Sequence, residues 1–391
     1  MPKFGWSKFL LIVLFGGLAL ISCRQAQPRA GQIIIGETVT IRSMHLNRDM
    51  IIDVYLPDGY SKKNNRYPVL VICQSHFLHV SGITADLAWK NSAPELIVAN
   101  VRNYLSDDAI PEKIEGHPDS GGADRFIDFF RDELIPRLDA RYRTHPFRIF
   151  YAGSFGGGFC VYMFLTRPSV FNAYLAAHPA IDYEGGSTLI MSNLPSYLAR
   201  NTYHDRFLYM GIESEPRLGP ILERFVEVLD RAKLEGLKWE FHPFTDEDHG
   251  SIANKVIYHG LKFVFSAWNV IPAEVAGQGV EAVRSHVSGL NKIFGFDIGI
   301  SSQAAWRAVS SYRNEHREED AINLLKLCLE YRPNAETAWR ELGNALESNG
   351  RLKEAKDAFE TAHKKAVENS SQFLGIFKDA LDRINQKLRR E

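Results

Sequence analysis

At 391 residues the chain is too long for one ordinary domain and long enough to bury a large core. Hydrophobic residues make up 45% and charged residues 24% of it, which is ordinary for a globular protein and excludes a disordered or low-complexity chain. A net charge of -1, with no basic run before the last few residues, gives no footprint for nucleic acid.

The first stretch reads as an export signal. Lys3 and Lys8 precede an apolar run from Phe9 to Ile21, which ends in Leu20-Ile21-Ser22-Cys23. The run is short for a membrane span. A cysteine after a small residue at its end is the pattern of a bacterial lipobox, similar to lipoproteins whose cysteine is acylated and becomes the new N-terminus. We therefore expect residues 1–22 to be a signal peptide, Cys23 to be the lipidation site, and residues 23–34 to be a polar tether. The expected location is the bacterial cell envelope, on the outer membrane, with the lipid anchor as the membrane contact. The remaining cysteines, Cys73, Cys160 and Cys328, each lie in apolar segments and read as buried thiols rather than a disulfide framework.

Thr38–Ser43 and Met50–Leu56 alternate in polarity around Asn47-Arg48-Asp49, which predicts a β-hairpin. Tyr67–Cys73 and Leu96–Val101 are continuous apolar runs, as expected of central parallel strands covered on both faces. Helical and strand patterns then alternate. A helix is expected over Ala123–Leu138, a strand over Phe147–Ala152, a helix over Phe155–Leu165 and a strand over Ala173–Ala177. Leu189–Leu198 reads as a helix and Phe207–Gly211 as a strand. Ile221, Phe225, Val228, Leu229 and Ala232 mark a helix of 3.6-residue period. Trp239–Phe244 is the last strand and Ile252–Trp268 the last helix of this series. An antiparallel lead-in followed by β-α units predicts an α/β fold with a doubly wound, mostly parallel sheet over residues 35–268. Its catalytic groups are expected at the carboxyl ends of the strands.

Beyond Pro272 the composition shifts to helix formers. Trp339, Leu342, Gly343, Leu346, Gly350, Ala355, Phe359 and Ala362 fit the roughly 34-residue tetratricopeptide pattern. Ala308, Tyr312, Ala321, Leu325 and Cys328 occupy equivalent places one period earlier, with Pro333 closing that unit. Residues 269–301 are expected to be a helical linker. Residues 302–391 read as two tetratricopeptide-like repeats, 302–335 and 336–369, with a capping helix. Such a small all-α domain can hold a protein partner or pack against its neighbour.

The chemistry centres on Ala152-Gly153-Ser154-Phe155-Gly156. A serine between a buried strand and a glycine-flanked helix is the nucleophile elbow of an α/β-hydrolase, here with Ala152 at the first glycine of G-x-S-x-G. In that fold the acid and then the histidine follow the serine along the chain. His249, in the loop after the last strand, is the expected base. The acid belongs in the turn after the strand ending at Gly211, where Glu213 is preferred and Glu215 is the alternative. The other histidines, His76, His79, His178, His204, His242 and His259, fall elsewhere in the order and read as structural. His76 and His79 have H-x-x-H spacing but no third ligand, so no metal is expected, and no cofactor. The oxyanion donors are expected to be the N–H of Phe155 and one from the loop at Gln74.

Several short segments in one order carry a family likeness. They are Tyr67-Pro68-Val69-Leu70, His76-Phe77 with Ser81-Gly82, Ser120-Gly121-Gly122-Ala123, Glu133-Leu134-Ile135-Pro136 and Ser154-Phe155-Gly156-Gly157. Thr166-Arg167-Pro168, Gly211-Ile212-Glu213 and Glu247-Asp248-His249-Gly250-Ser251 complete the set. Together they resemble the esterase family of α/β-hydrolases that includes enterochelin (siderophore) esterases, especially exported members with C-terminal tetratricopeptide repeats. The resemblance implies Ser154 as nucleophile, His249 as base and Glu213 as acid. This sequence lacks the histidine that usually precedes the family's nucleophilic serine. The Asp-Gly pair usual after the first central strand is also missing at Cys73-Gln74-Ser75. The expected function is a serine carboxylic-ester hydrolase working through an acyl-enzyme on a siderophore lactone, a glycan-linked ester or a small acyl ester. The alternative is a lipid-anchored scaffold with a weakened hydrolase fold, acting through its repeats.

Overall fold

The computed structural model describes residues 34–61, 64–73, 76–268 and 270–390; the signal segment, Cys23 and Gln74 lie outside the described residues. The hairpin is β1 (Gly36–Ser43) and β2 (Arg48–Tyr55), joined through Asn47, whose φ of 51° suits a tight turn. The parallel series follows as β3 (Tyr67–Cys73), β4 (Ile97–Val101), β5 (Thr144–Gly153), β6 (Ala173–Ala177), β7 (Arg206–Ile212) and β8 (Leu237–Pro243). These eight strands form one sheet in the order β1-β2-β4-β3-β5-β6-β7-β8, antiparallel at β1/β2 and β2/β4 and parallel elsewhere. Every residue of β3 and β4 is buried, as continuous apolar runs require. The edge strand β8 places Lys238 and Glu240 toward solvent, which discourages further strand pairing.

Helices cover both faces. Leu70 and Ile72 of β3 face α1 (Phe77–Trp89), α7 (Ile252–Val264) and α9 (Val280–Phe294). Val69, Val71 and Cys73 face the other layer, built from α2 (Ala123–Asp128), α3 (Ile135–Arg141), α4 (Phe155–Thr166), α5 (Leu189–Arg200) and α6 (Gly219–Ala232). Two features go beyond the sequence expectations. Residues 77–89, unassigned from sequence, form α1. The expected helix over Ala123–Leu138 is continuous but widens into a π-helical stretch at Phe129–Leu134, where Phe129 and Phe130 are fully buried against the sheet.

The C-terminal region is all helical: α8 (Ala273–Gly277), α9, α10 (Ser302–Asn314), α11 (Glu318–Tyr331), α12 (Glu336–Ser348), α13 (Leu352–Glu368) and α14 (Leu374–Leu388). The starts of α10 and α12 are separated by the same interval as those of α11 and α13, so one helical pair follows another at a fixed repeat. A Cβ on Gly343 would lie 2.6 Å from the Phe359 ring, which is why this α12 position carries no side chain.

The apolar interior runs without a break from the α1/α7 face of the sheet into these helices. Phe294 of α9 is the junction. Its ring centroid lies 5.0 Å from Phe147 of β5 and 5.6 Å from Phe265, and aromatic pairs of this kind contribute about 0.5–1.5 kcal/mol each beyond area burial. The three thiols Cys73, Cys160 and Cys328 are free and buried, and burial pushes that of Cys328 up to about 12. Among the described residues no helix is long and apolar enough to cross a membrane.

His145, at the start of β5, stacks on Phe296 with centroids 4.0 Å apart. Burial, with Arg66 nearby, lowers its pKa from 6.5 to about 4. A histidine that stays neutral when folded resists protonation that the unfolded chain accepts. Stability is therefore expected to fall as pH drops from about 6.5 toward 4. Thermal melts across that range check this: His145→Phe keeps a stacked ring, and its Tm should decline less than that of the wild type. Parallel declines would contradict the assignment.

Candidate active site

Three central strands end in register. Gly153 of β5 pairs with Ala177 of β6, and Ala177 pairs with Gly211 of β7. The residues just past this row are Ser154, His178 and, one further on, Glu213. The strand-end alignment thus gathers three separate segments at the carboxyl edge of the sheet, where open α/β folds place their chemistry.

Ser154 has φ 58° and ψ -126°, a conformation seldom adopted by a residue with a side chain. The surroundings impose it. Its N–H donates to Ala177 O at 3.0 Å, and its carbonyl accepts from Gly158 N–H at 3.0 Å and Ala180 N–H at 3.3 Å. A Cβ on Gly157 would lie 2.5 Å from Ala177 O, and one on Gly158 would lie 2.5 Å from Ala180 O. Only glycine lets α4 approach the loop after β6 this closely. The extra methyl of Ala152 points at Gly156, where a second Cβ would come within 3.0 Å of it, so the missing glycine is offset by a retained one. Phe155 opens α4, and its N–H is one of the unsatisfied donors of a helix start. Its ring meets those of His117 and Tyr183 edge-on, at 5.3 and 5.8 Å.

Glu213 is 7% exposed at its side chain. Its Oε1 lies 3.1 Å from Nδ1 of His249 and 2.7 Å from Nδ1 of His178. Among the described residues these imidazoles are its only hydrogen-bond partners, and Oε2 is buried without one. The Glu215 carboxylate instead accepts the backbone N–H groups of Arg217, at 3.2 Å, and Leu218, shaping the turn into α6. His249 is 58% exposed at its side chain and sits on a turn held by Asp248, whose Oδ1 accepts from Gly250 and Ser251 N–H at 2.9 and 2.8 Å. Those bonds hold the Asp248 carboxyl below its ordinary pKa. The structure thus brings Glu213 and His249 together, and leaves Glu215 in a local turn. Among the described residues the Ser154 hydroxyl makes no hydrogen bond.

His178, read from sequence as structural, proves to be part of this cluster. Its position immediately after a central strand, at the edge where Ser154 also emerges, was the available signal. His178, Glu213 and His249 are the one group among the described residues whose potential ligand atoms lie within 4.8 Å of one another. The two N···O separations are hydrogen-bond lengths, which explains the grouping without an ion. His76 and His79 are exposed at the start of α1.

A cavity of about 900 Å³ lies elsewhere. Its lining includes Tyr67, Pro68, Leu96 and His145, at the amino ends of β3, β4 and β5, together with Phe296 and Arg332. Ser154 stands at the far end of β5, so this cavity does not serve it.

Sheet order, strained serine turn and helix packing define an α/β-hydrolase. A family profile described as "Putative esterase" matches residues 43–366, and the chain belongs to that family. The match continues past the sheet into the C-terminal helices. The chain is 26% identical over 162 residues to the Ferri-bacillibactin esterase BesA of Bacillus subtilis, covering 39% of this chain and 56% of that protein. It is 28% identical over 186 residues to the Siderophore enterobactin esterase of Emericella nidulans, covering 39% of this chain and 61% of that protein. The chain therefore spans a little over half the length of the curated relatives it matches. Among solved structures, an IroE-like serine hydrolase from Shewanella oneidensis superposes with a TM-score of 0.64 at 20% identity, over 76% of this chain and 99% of that one. An uncharacterised protein from Capnocytophaga ochracea gives 0.64 at 16% identity over 90% of this chain and 99% of that one, so the likeness of fold reaches into the helical region.

Proposed function

We propose that the protein is a serine carboxylic-ester hydrolase in which Ser154 is the nucleophile, His249 the general base and Glu213 the acid. The observation that carries this reading is the 3.1 Å contact between Glu213 Oε1 and His249 Nδ1, with a serine held at φ 58° leaving the same row of strand ends as Glu213. A carboxylate accepts from Nδ1 only if that nitrogen carries the hydrogen, which leaves Nε2 free to take a proton. Ser154 Oγ then attacks the ester carbonyl as its proton passes to His249 Nε2. The carbonyl oxygen becomes an alkoxide, stabilised by the Phe155 N–H and a second donor from the loop at Gln74. Collapse breaks the ester C–O bond, His249 protonates the departing alcohol, and an acyl-Ser154 remains. Water, deprotonated by His249, releases the carboxylic acid and restores Ser154.

The substrate class proposed is a carboxylic ester of the siderophore type, since the Emericella nidulans relative is named as a siderophore enterobactin esterase and the Bacillus subtilis relative as a ferri-bacillibactin esterase. The repeating helical pairs α10–α13 are proposed to be tetratricopeptide-like units. Their interior is continuous with the sheet face, which favours a role in shaping this enzyme over a free-standing binding array. Fluorophosphonate tests the central claim without a chosen substrate, because phosphonylation needs an activated serine. One adduct per chain, located on Ser154 by peptide mass spectrometry, is expected. A folded protein that stays unlabelled after long exposure would refute the reading.

A further inference from the structure

We propose that His178 is a positioning residue for the ester-hydrolysing site: as a second imidazole donating Nδ1–H to Glu213 Oε1, it aims that carboxylate at His249. The inference rests on the function proposed above and adds to it a fourth side chain.

Both Nδ1 atoms approach the same oxygen, at 2.7 Å from His178 and 3.1 Å from His249. An ionised carboxylate only accepts, so both rings must carry hydrogen on Nδ1 at once. The shorter bond belongs to the ring that does not face solvent: the His178 side chain is 11% exposed and that of His249 58%. The ring planes are perpendicular, with centroids 4.3 Å apart, so each imidazole also limits the tilt of the other. Burial holds the His178 pKa below the ordinary imidazole value, with Glu213 pulling the other way. His178 thus reads as the neutral, fixed donor, and His249 as the ring that exchanges protons.

The acid needs such a donor. No backbone N–H reaches Glu213 among the described residues, and its Oε2 is buried without a hydrogen bond. Without His178, the only remaining hydrogen bond to this carboxylate among the described residues would come from the exposed ring it is meant to orient. His178 is itself firmly placed. Its φ is 43°, a left-handed conformation costly for histidine. Its N–H donates to Gly211 O at 2.8 Å, two residues before Glu213. Its carbonyl lies 3.2 Å from where a Gly157 Cβ would be, against the turn that carries Ser154. The ion pair between Arg217 and Asp182 further ties the loop after β6 to the loop after β7. One residue therefore touches the segments bearing the nucleophile, the acid and the base.

The test uses two substitutions that tolerate the left-handed backbone. His178→Asn puts an amide N–H near the place of Nδ1, whereas His178→Gly removes the donor. On a p-nitrophenyl acyl ester, kcat of the glycine variant is expected to fall about 10²-fold with KM nearly unchanged, and asparagine to restore it to within about threefold of wild type. Nitrogen NMR of the histidine-labelled full chain should show hydrogen on Nδ1 of both His178 and His249. In His178→Gly the His249 tautomer should become mixed, an effect that simple loss of packing would not produce. If the glycine variant does not fold, the wild-type tautomers still decide the matter, because the proposal requires hydrogen on Nδ1 of both rings. Wild-type kcat in the non-donor variant, failure of asparagine to rescue, or hydrogen on Nε2 of His178 would each overturn the proposal. If the wild type hydrolyses no ester and takes no fluorophosphonate, the esterase reading fails, while the two tautomers still decide the role of His178.

Discussion

Ser154→Ala and His249→Ala are each expected to lower ester turnover by about 10⁶-fold, and the double variant is expected to be no worse than either single one. The non-additivity follows from the chemistry. A serine hydroxyl without a base is barely nucleophilic, and a base without the hydroxyl has no proton to remove, so either loss removes the same step. The residual rate should come from substrate binding and the Phe155 N–H, which neither change touches. Single-turnover assays on purified, folded variants give the comparison directly. Losses that multiply in the double variant would mean that the two residues act separately. The fold should survive both changes, because the Ser154 turn is held by backbone bonds to Ala177, Gly158 and Ala180 and by close glycine packing, not by the hydroxyl.

Glu213→Gln is expected to cost about 10⁴-fold in kcat, while Glu215→Gln stays near wild type. An amide at position 213 presents either a donor or an uncharged acceptor to the two Nδ1–H groups. In the first case it forces at least one imidazole to the other tautomer. In the second it no longer stabilises the imidazolium that forms when His249 takes the serine proton. The Glu215 carboxylate, by contrast, shapes the turn before α6 by accepting two backbone N–H groups. Its loss should appear as a modest drop in stability, since a capping-type interaction is worth about 0.5–2 kcal/mol. Kinetics paired with chemical denaturation separate the two effects. A Glu215→Gln variant with the larger kinetic loss would reverse the assignment of the acid.

Much of this arrangement was legible in the sequence because its signals are local. Continuous apolar runs located β3, β4 and β6 almost to the residue. Helical periodicity located α6, and the matching spacing of apolar and small residues anticipated the repeated helical pairs. Ser154 was marked by the glycines around it, since no larger residues fit where α4 crosses the loop after β6. His249 could be chosen by its place after the last strand. These features depend on the backbone within a few residues, and local pattern reports that directly.

Other features depend on segments far apart in the chain. Glu213 and Glu215 leave the same strand two residues apart, and nothing in their immediate sequence separates them. Tertiary structure does: one lies against two imidazoles and the other turns back onto Arg217 and Leu218. His178 looked structural because a lone histidine after a strand has no local mark of function. Its partner lies 35 positions on, brought near by the register of Ala177 with Gly211. Phe294, in a segment that read as a linker, fills the core against Phe147 and Phe265. The sequence alone thus determined the fold class, the serine turn and the order of the candidate residues, through steric and hydrophobic constraints on neighbours. Only the tertiary structure decided which carboxylate meets which imidazole, because hydrogen bonding across strand ends depends on sheet register and loop path, which no local pattern encodes.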